Sequence, residues 1–213
     1  MTPARRTAVL TGALYFVTHV TSVAALVLYG GAGTGADVLA GRRPQVLLGA
    51  ALEVALAVAV VGTAVALYPL LRERAPGVGA GYVGLRTLEA SVILAGVVTL
   101  LPVVAVPSSQ GAPGLAPEVA HGLALVHDWT FLVGPGLVVP VHTVLLAAHL
   151  WRSRRTPRII PALGLVGGPL VGAMNLAVIA GVTEIVPVLV VPVFAWEISL
   201  ATWLVLRGLR DHR

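Results

Sequence analysis

Residues 45–71 read QVLLGAALEVALAVAVVGTAVALYPLL, and this stretch decides the fold because Glu53 is its single charged residue. A helix of about 20 apolar residues is long enough to cross the roughly 30 Å of hydrocarbon in a bilayer. The surface helices of a soluble protein carry a charged face along their whole length instead. The stretch therefore predicts a membrane-spanning helix.

The rest of the chain has the same character. Of 213 residues, 57% are hydrophobic and 11% are charged, whereas about 25% are charged in soluble domains. The sequence has no cysteine, which excludes disulfides, thiolate metal sites and thiol catalysis. The net charge of +5 comes from arginines that lie between apolar runs and form no basic face. We therefore predict no nucleic-acid partner and a protein surrounded by the lipid bilayer.

Six apolar stretches satisfy the length requirement for a span. They are residues 7–30, 45–71, 81–106, 119–150, 159–182 and 185–206. The first is longer than the apolar region of a secretory signal, so we expect it to be retained. The last two are joined tightly at Thr183 and Glu184. The predicted fold is all-α, a single domain over residues 1–213 with six transmembrane helices.

The arginines indicate the orientation, because cytoplasmic segments of membrane proteins are enriched in basic residues. With a cytoplasmic N-terminus, 11 of the 14 arginines lie on the cytoplasmic side. They are Arg5, Arg6, Arg72, Arg74, Arg152, Arg154, Arg155, Arg158, Arg207, Arg210 and Arg213. Both termini are therefore predicted to be cytoplasmic. The lysine-free, Ala-, Gly-, Val- and Arg-rich composition is typical of a GC-rich bacterium, which indicates a bacterial inner-membrane protein.

Two features predict how the helices pack. Gly164, Gly168 and Gly172 recur every four residues in the fifth stretch and predict a smooth face for close helix approach. Pro135 and Pro140 interrupt the long fourth stretch, where each removes a backbone donor and predicts a bend.

Ionisable residues inside the predicted spans carry the functional information. They are Glu53, Arg86, Glu89, Asp128 and Glu197, and His19, His127, His142 and Asn175 are further polar residues at membrane depth. A charge near the bilayer centre costs about 2.5–3.5 kcal/mol. These side chains must therefore face the bundle interior, paired, protonated or bound to something. One arginine for four acids leaves three acids without a permanent cation.

Spacing along the helices predicts some of the contacts. Arg86 and Glu89 are three residues apart and share a helix face. Asp128, Pro135 and His142 recur every seven residues and are expected on one slowly turning stripe. On a straight helix His127 points away from Asp128. Glu53 lies at a depth that allows contact with Asp128 or His127.

The candidate residues follow from these positions. As catalytic candidates we take Glu197, Asp128, His127 and Glu89, and as substrate-binding candidates Arg86, Trp196, Glu53 and Asn175. Glu197 follows the helix-bending Pro192, so it is either a proton-exchanging or ligand-binding acid or a neutral acid bonded to a carbonyl that Pro192 leaves unpaired. No metal-ligand spacing and no cofactor motif is present, and the cofactor stays unknown.

Several blocks of the sequence are similar to a known family. They are HDWTFLVGP at 127–135, PRIIPALG at 157–164, WEISLATWL at 196–204, GALY at 12–15 and the pair Arg86-x-x-Glu89. With these blocks the chain resembles the bacterial integral membrane family catalogued as domain of unknown function forty-three eighty-six. The resemblance implies a six-helix membrane fold and no particular activity. It makes Arg86, Glu89, His127, Asp128 and Glu197 stronger candidates than Glu53 or His19.

Three functions are compatible with the sequence. The first is a membrane-embedded enzyme that acts by acid–base chemistry on a lipophilic, isoprenoid- or quinone-like molecule. The second is a small proton-linked transporter, for which six helices would require a homodimer. The third is a non-catalytic scaffold or accessory subunit whose ion pairs specify packing. A lipid or small hydrophobic molecule that co-purifies beside Glu197 favours the enzyme. A water-filled path across both leaflets favours the transporter, and a dry, fully paired interior without a cavity favours the scaffold.

Overall fold

The computed structural model describes residues 1–31, 35–105 and 115–209. The secondary structure over these residues is helical. The α-helices are α1 (Pro3–Tyr29), α2 (Ala36–Gly41), α3 (Arg43–Arg72), α4 (Pro76–Ala105), α5 (Pro117–Val133), α6 (Val139–Ser153), α7 (Ile159–Ile179) and α8 (Val191–Leu206). A π-helical turn, Gly134–Val138, joins α5 to α6, and a 3₁₀ turn, Pro187–Val190, precedes α8. Six spans are long and apolar enough to cross a membrane, which confirms the predicted number.

Two predicted boundaries differ from the structure. The third span begins at Pro76 and not at residue 81, because the glycine-rich residues before 81 are helical here. The fifth span ends at Ile179 and not at residue 182. Gly181 adopts a left-handed conformation with φ of 69°, which ends the helix, and the sixth span begins at Pro187. The expected tight joint at Thr183 and Glu184 is therefore a connector of several residues. The end of the third stretch, residue 106, lies outside the described residues.

The fourth span is bent where the two prolines predicted it. Pro135 and Pro140 have no N–H to donate to the carbonyls of Phe131 and Gly136, four residues earlier. The backbone responds with the widened π-helical turn Gly134–Val138. A π-helical turn holds one more residue than an α-helical turn. The side chains of α5 are therefore out of phase with those of α6.

The six spans form a ring. Packing runs from α1 to α3, α4, the α5–α6 span, α7 and α8, and α8 packs back onto α1. The ring is closed by Arg5, whose guanidinium donates hydrogen bonds to the carbonyls of Leu204, at 2.7 Å, and Val205. At the same end Arg155 donates to the carbonyl of Leu70 at 2.7 Å. We call this end of the bundle the arginine-rich end.

The half of the bundle next to the arginine-rich end is filled by large side chains. Tyr15, Leu67, Leu71, Tyr82, Leu146, Leu150, Trp196, Leu200 and Leu204 are all buried there. The glycine face of α7 lets its neighbours approach closely, as predicted. A Cβ atom on Gly164 would lie 2.8 Å from the Trp196 ring, and one on Gly168 would lie 2.9 Å from the Val144 side chain. This half is therefore a closed core.

The opposite half is less tightly closed. Beyond the π-helical turn, α5 packs mainly against α4 and the short α2, while α7 contacts this span mainly through α6 and the turn. The bend thus separates α5 from α7 and α8. The space that opens between them and α1 contains the polar side chains described next.

Candidate functional site

A cavity of about 220 Å³ lies near mid-depth in the bundle, and we call it the inner cavity. Arg86 lines it from about 15 Å along α4, and Glu197 from about 14 Å before the end of α8, at 1.5 Å per residue. The polar residues around it are Thr18, His19, Ser22, Arg86, Glu89 and Glu197. Its other walls are apolar.

Arg86 is the centre of the inner cavity's polar wall. Its side chain is 2% exposed, and Nη1 donates to Oε2 of Glu89 at 3.0 Å, which confirms the predicted pair. Nη2 lies 3.7 Å from Oε1 of Glu197. The guanidinium carbon lies 5.2 Å from the ring centre of Tyr15 and 5.7 Å from that of Tyr82, where the electron-rich ring faces attract a cation.

Two donors of this arginine are not used. Within the described part of the chain, Nε and Nη2 of Arg86 have no hydrogen-bond partner. A buried donor without an acceptor costs about 1–3 kcal/mol. Because Arg86 lines the inner cavity, a molecule bound there can supply the missing acceptor.

Buried side chains on neighbouring helices hold Glu89 and Arg86 in place. Nε2 of His142 lies 3.0 Å from Oε2 of Glu89, and the His142 ring packs edge-on against Tyr82. The hydroxyl groups of Tyr82 and Tyr15 form a hydrogen bond with each other. The Arg86–Glu89 pair is therefore fixed by partners on three different helices.

His19 and Glu197 form a second pair at the cavity wall. Nε2 of His19 lies 3.5 Å from Oε2 of Glu197, and Nδ1 lies 2.8 Å from the carbonyl oxygen of Tyr15. A carbonyl only accepts, so Nδ1 must carry a hydrogen. In the neutral ring Nε2 then presents its lone pair to Glu197. Within the described residues Nε2 has no hydrogen-bond partner, because its 3.5 Å approach to Glu197 is an ion-pair distance.

A larger cavity of about 680 Å³ lies between α1, α5 and the α7–α8 connection, towards the end opposite the arginines. We call it the outer cavity. Leu26, Trp129 and Ile185 line it and are 48%, 48% and 47% exposed. Side chains that are half exposed on a transmembrane bundle face lipid. The outer cavity is therefore bounded by lipid-facing residues on three different segments.

The outer cavity has its own acid–imidazole cluster. Nε2 of His127 lies 3.1 Å from Oε2 of Glu53. This is one of the two contacts that the sequence allowed for Glu53, with His127 or with Asp128. Nδ1 of the same ring lies 3.7 Å from Oδ1 of Asp128. The expectation that His127 points away from Asp128 is wrong, because the aspartate side chain turns back towards the neighbouring ring. Tyr29 packs edge-on against His127.

The ionisable residues of the spans divide between the two cavities. Arg86, Glu89 and Glu197 line the inner cavity, whereas Asp128 lines the outer one and its side chain is 32% exposed. His142 is buried against Glu89. The expected common stripe of Asp128 and His142 is wrong, because the π-helical turn between them adds a residue and changes the helical phase.

The other predicted candidates occupy different places. Asn175 lines the outer cavity and donates from Nδ2 to the carbonyl of Val171 at 2.9 Å. Trp196 is 1% exposed, packs against Gly164 and is absent from the walls of both cavities. Over residues 1–31, 35–105 and 115–209, no three His, Asp or Glu side chains are placed to hold a metal ion.

The candidate set omitted His19 in the wall of the inner cavity and several residues that contact the Arg86–Glu89 pair. His19 was noted only as a polar residue at membrane depth, and Tyr15, Tyr82 and His142 were not candidates. His19 needs the α1–α8 contact to reach Glu197, and no spacing along one helix signals that contact. His142 carried a weak signal, because a histidine at membrane depth needs a polar partner.

The two cavities are neighbours. Ser22, Phe131 and Phe194 line both of them, so these three side chains form the partition between the cavities.

Fold and site together define a polytopic α-helical membrane protein with a buried polar site next to a lipid-facing cavity. The profile of the family described as Domain of unknown function (DUF4386) matches residues 10–208. The chain belongs to this family, as its sequence blocks predicted. No curated protein and no solved structure matches the chain.

Proposed function

We propose that the protein is a membrane-embedded enzyme that acts by acid–base chemistry on a lipophilic substrate reaching it from within the bilayer. The observation that carries this proposal is the pair of adjoining cavities. Half-exposed, lipid-facing side chains bound the outer cavity, and an arginine with unused donors, a carboxylic acid and an imidazole face the inner one. An apolar chain fits the first environment, and a polar reacting group fits the second.

Four polar residues of the inner cavity have a role in this proposal. Arg86 would bind the polar group of the substrate and stabilise negative charge that develops on it. Nε2 of His19 lies 3.5 Å from Oε2 of Glu197, and this pair would give a proton to the substrate or take one from it. Glu89 would hold Arg86 in position through its 3.0 Å contact.

The Glu53–His127–Asp128 cluster would serve the same reaction from the outer cavity. His127 lies between two carboxyl groups, at 3.1 Å from Glu53 and 3.7 Å from Asp128. Asp128 is partly exposed and Glu53 is buried. Such a chain can pass a proton between the outer cavity and the bundle interior.

The packing favours an enzyme over a transporter or a scaffold. A transporter needs access from both leaflets, whereas the half next to the arginine-rich end is filled by buried side chains such as Trp196, Leu200 and Leu204. A scaffold needs no cavity, and Arg86 keeps two buried donors without a partner in the described residues.

We further propose that the protein lies in the inner membrane of a bacterium with both ends in the cytoplasm. Arg5, Arg155 and the end of α8 lie together at the arginine-rich end. This grouping of basic residues on one side is what the positive-inside rule requires of the cytoplasmic face.

The test is conversion of native lipids by the purified protein. The full chain in phosphatidylcholine nanodiscs is incubated with a total lipid extract from the cells that make it, and mass spectrometry follows every lipid. We expect wild type to convert at least one lipid, and Glu197→Gln to lower the rate by about 10²–10⁴-fold because it removes an acid–base group. Glu118→Gln, on the exposed start of α5, should keep the wild-type rate.

Access from the bilayer is tested in the same assay. Leu26→Trp places a larger side chain in the outer cavity wall, while Val27→Trp changes the neighbouring, 67% exposed residue that lines neither cavity. We expect Leu26→Trp to slow the reaction and Val27→Trp to leave it unchanged. Equal rates for wild type and Glu197→Gln, or no lipid converted by wild type, would contradict the proposal.

A further inference from the structure

The unused donors of Arg86 restrict the head group that the inner cavity can take. Nε and Nη2 lie on one edge of the guanidinium group, and neither has a hydrogen-bond partner in the described residues. Arg86 is 2% exposed, so bulk water does not compensate for the missing bonds. The bound group must therefore present an oxygen or nitrogen acceptor to this edge.

The charges already present exclude an anionic head group. One permanent cation, Arg86, lies beside two carboxyl groups, with Glu89 at 3.0 Å and Glu197 at 3.7 Å. A carboxylate or phosphate head would place a third acidic group beside these two carboxyl groups at mid-depth. In a low-dielectric interior, like charges at this separation repel strongly.

A cationic head group does not fit either, because it brings no acceptor for Arg86 and adds positive charge beside it. An ammonium group carries donors and no acceptor. It could pair with Glu197, but it would leave Nε and Nη2 of Arg86 without partners and add a second cation beside the first. An uncharged oxygen, in a carbonyl or a hydroxyl group, satisfies the arginine edge and leaves the charge balance unchanged.

The remaining surroundings fit an uncharged head. The His19–Glu197 pair lines the same space, with 3.5 Å between Nε2 and Oε2, and Nε2, which has no hydrogen-bond partner in the described residues, can bond to a hydroxyl group. Ser22, Phe131 and Phe194 line both this space and the larger outer cavity. The tail of the molecule then occupies the 680 Å³ of the outer cavity.

We infer that the inner cavity binds the uncharged oxygen head group, a carbonyl or a hydroxyl, of a single lipophilic molecule whose tail lies in the outer cavity. This inference rests on the proposed function and narrows its substrate to neutral lipids with an oxygen head. Fatty acids, lipid phosphates and lipophilic amines are excluded as substrates.

The experiment compares probes with one tail and different heads. Dodecan-2-one, 1-dodecanol, dodecanoate, dodecylammonium and dodecane are each titrated into nanodiscs that contain the full chain, with empty nanodiscs as the blank for bilayer partition. We expect the ketone, the alcohol or both to bind at least about tenfold more tightly than the other three, a difference of about 1.4 kcal/mol. The ketone and alcohol arms show which oxygen is preferred.

Infrared spectroscopy gives a second, independent readout. The carbonyl stretch of ¹³C-labelled dodecan-2-one should move to lower frequency in nanodiscs with protein, because Arg86 withdraws electron density from the oxygen. Ser22→Phe, at the partition between the cavities, should remove this shift. Val20→Phe, a 68% exposed residue on the same helix, should keep it.

The outcomes separate this inference from the proposed function. Preferred binding of dodecanoate or dodecylammonium, or equal binding of all five probes, overturns the uncharged head. If the extract assay still shows lipid conversion that depends on Glu197, the enzyme proposal stands and the head-group class is wrong. If the ketone or alcohol binds and no lipid is converted, the site is a lipid-binding site and the enzyme proposal is wrong.

Discussion

Glu53 on α3 and His127 on α5 contact each other at 3.1 Å, although these two helices pack mainly against other partners. α3 packs against α1 and α4, and α5 packs against α4. Both side chains are buried, with 1% and 5% of their surfaces exposed. A polar contact in the membrane interior thus connects two helices that apolar packing does not join closely.

The first prediction concerns the stability of this contact. Removing one member of a buried ion pair leaves the other without compensation and costs about 3–5 kcal/mol. We expect His127→Ala and Glu53→Ala each to lower the thermal unfolding midpoint in detergent markedly. The double substitution should cost less than the sum of the two single substitutions.

Glu184→Ala serves as the control for this prediction. Glu184 lines the same outer cavity but is exposed in the α7–α8 connector, so its removal should change stability by less than about 0.5 kcal/mol. Additive effects of the Glu53 and His127 substitutions would show that the two side chains are not coupled.

The second prediction tests the glycine face of α7. A methyl group on Gly164 would lie 2.8 Å from the Trp196 ring and 2.9 Å from Ala147, which is closer than packed atoms tolerate. We expect Gly164→Ala to destabilise the protein by about 1–3 kcal/mol, measured by the thermal unfolding midpoint in detergent.

Gly84→Ala is the matched substitution on α4. A methyl group on Gly84 meets no described atom within 4 Å, and alanine favours the helix over glycine by about 0.5–1 kcal/mol. This variant should be as stable as wild type or more stable. Equal unfolding midpoints for the two variants would argue against the close α7–α8 packing.

The third prediction concerns orientation in the membrane. The chain has no cysteine, so single cysteines can be introduced without a background. We expect a membrane-impermeant maleimide to label Thr183→Cys in intact cells and to label Arg152→Cys only after the cells are opened. Both positions are exposed and lie at opposite ends of the bundle. Labelling of Arg152→Cys from outside would reverse the predicted orientation.

The number of spans and several contacts could be predicted from the sequence because they depend on local pattern. Length and hydropathy define a span, and the spacing of Arg86 and Glu89 on one helix defines their pairing. The sequence did not decide whether Glu53 contacts His127 or Asp128. Depth in the membrane limits which residues can meet, but it does not fix the rotation of each helix.

Which polar side chains meet in the interior could not be predicted in full, for two physical reasons. The π-helical turn changes the phase of the fourth span, so a seven-residue repeat no longer places Asp128 and His142 on one face. His19 meets Glu197 only because α1 packs on α8, the last span of the chain. Such a contact between the two ends of the sequence leaves no periodic signal in either helix.

The closure of the ring by α1 and α8 has a consequence for biosynthesis. α8 leaves the ribosome after the other five described spans, yet it supplies Glu197 and Phe194 to the walls of the cavities, facing His19 on α1. During translation the first five spans thus wait in the membrane with Arg86 lacking one of its two carboxylate neighbours. The walls of the inner cavity are complete only when α8 docks. A product that ends before α8 would therefore insert in the bilayer without a complete binding site.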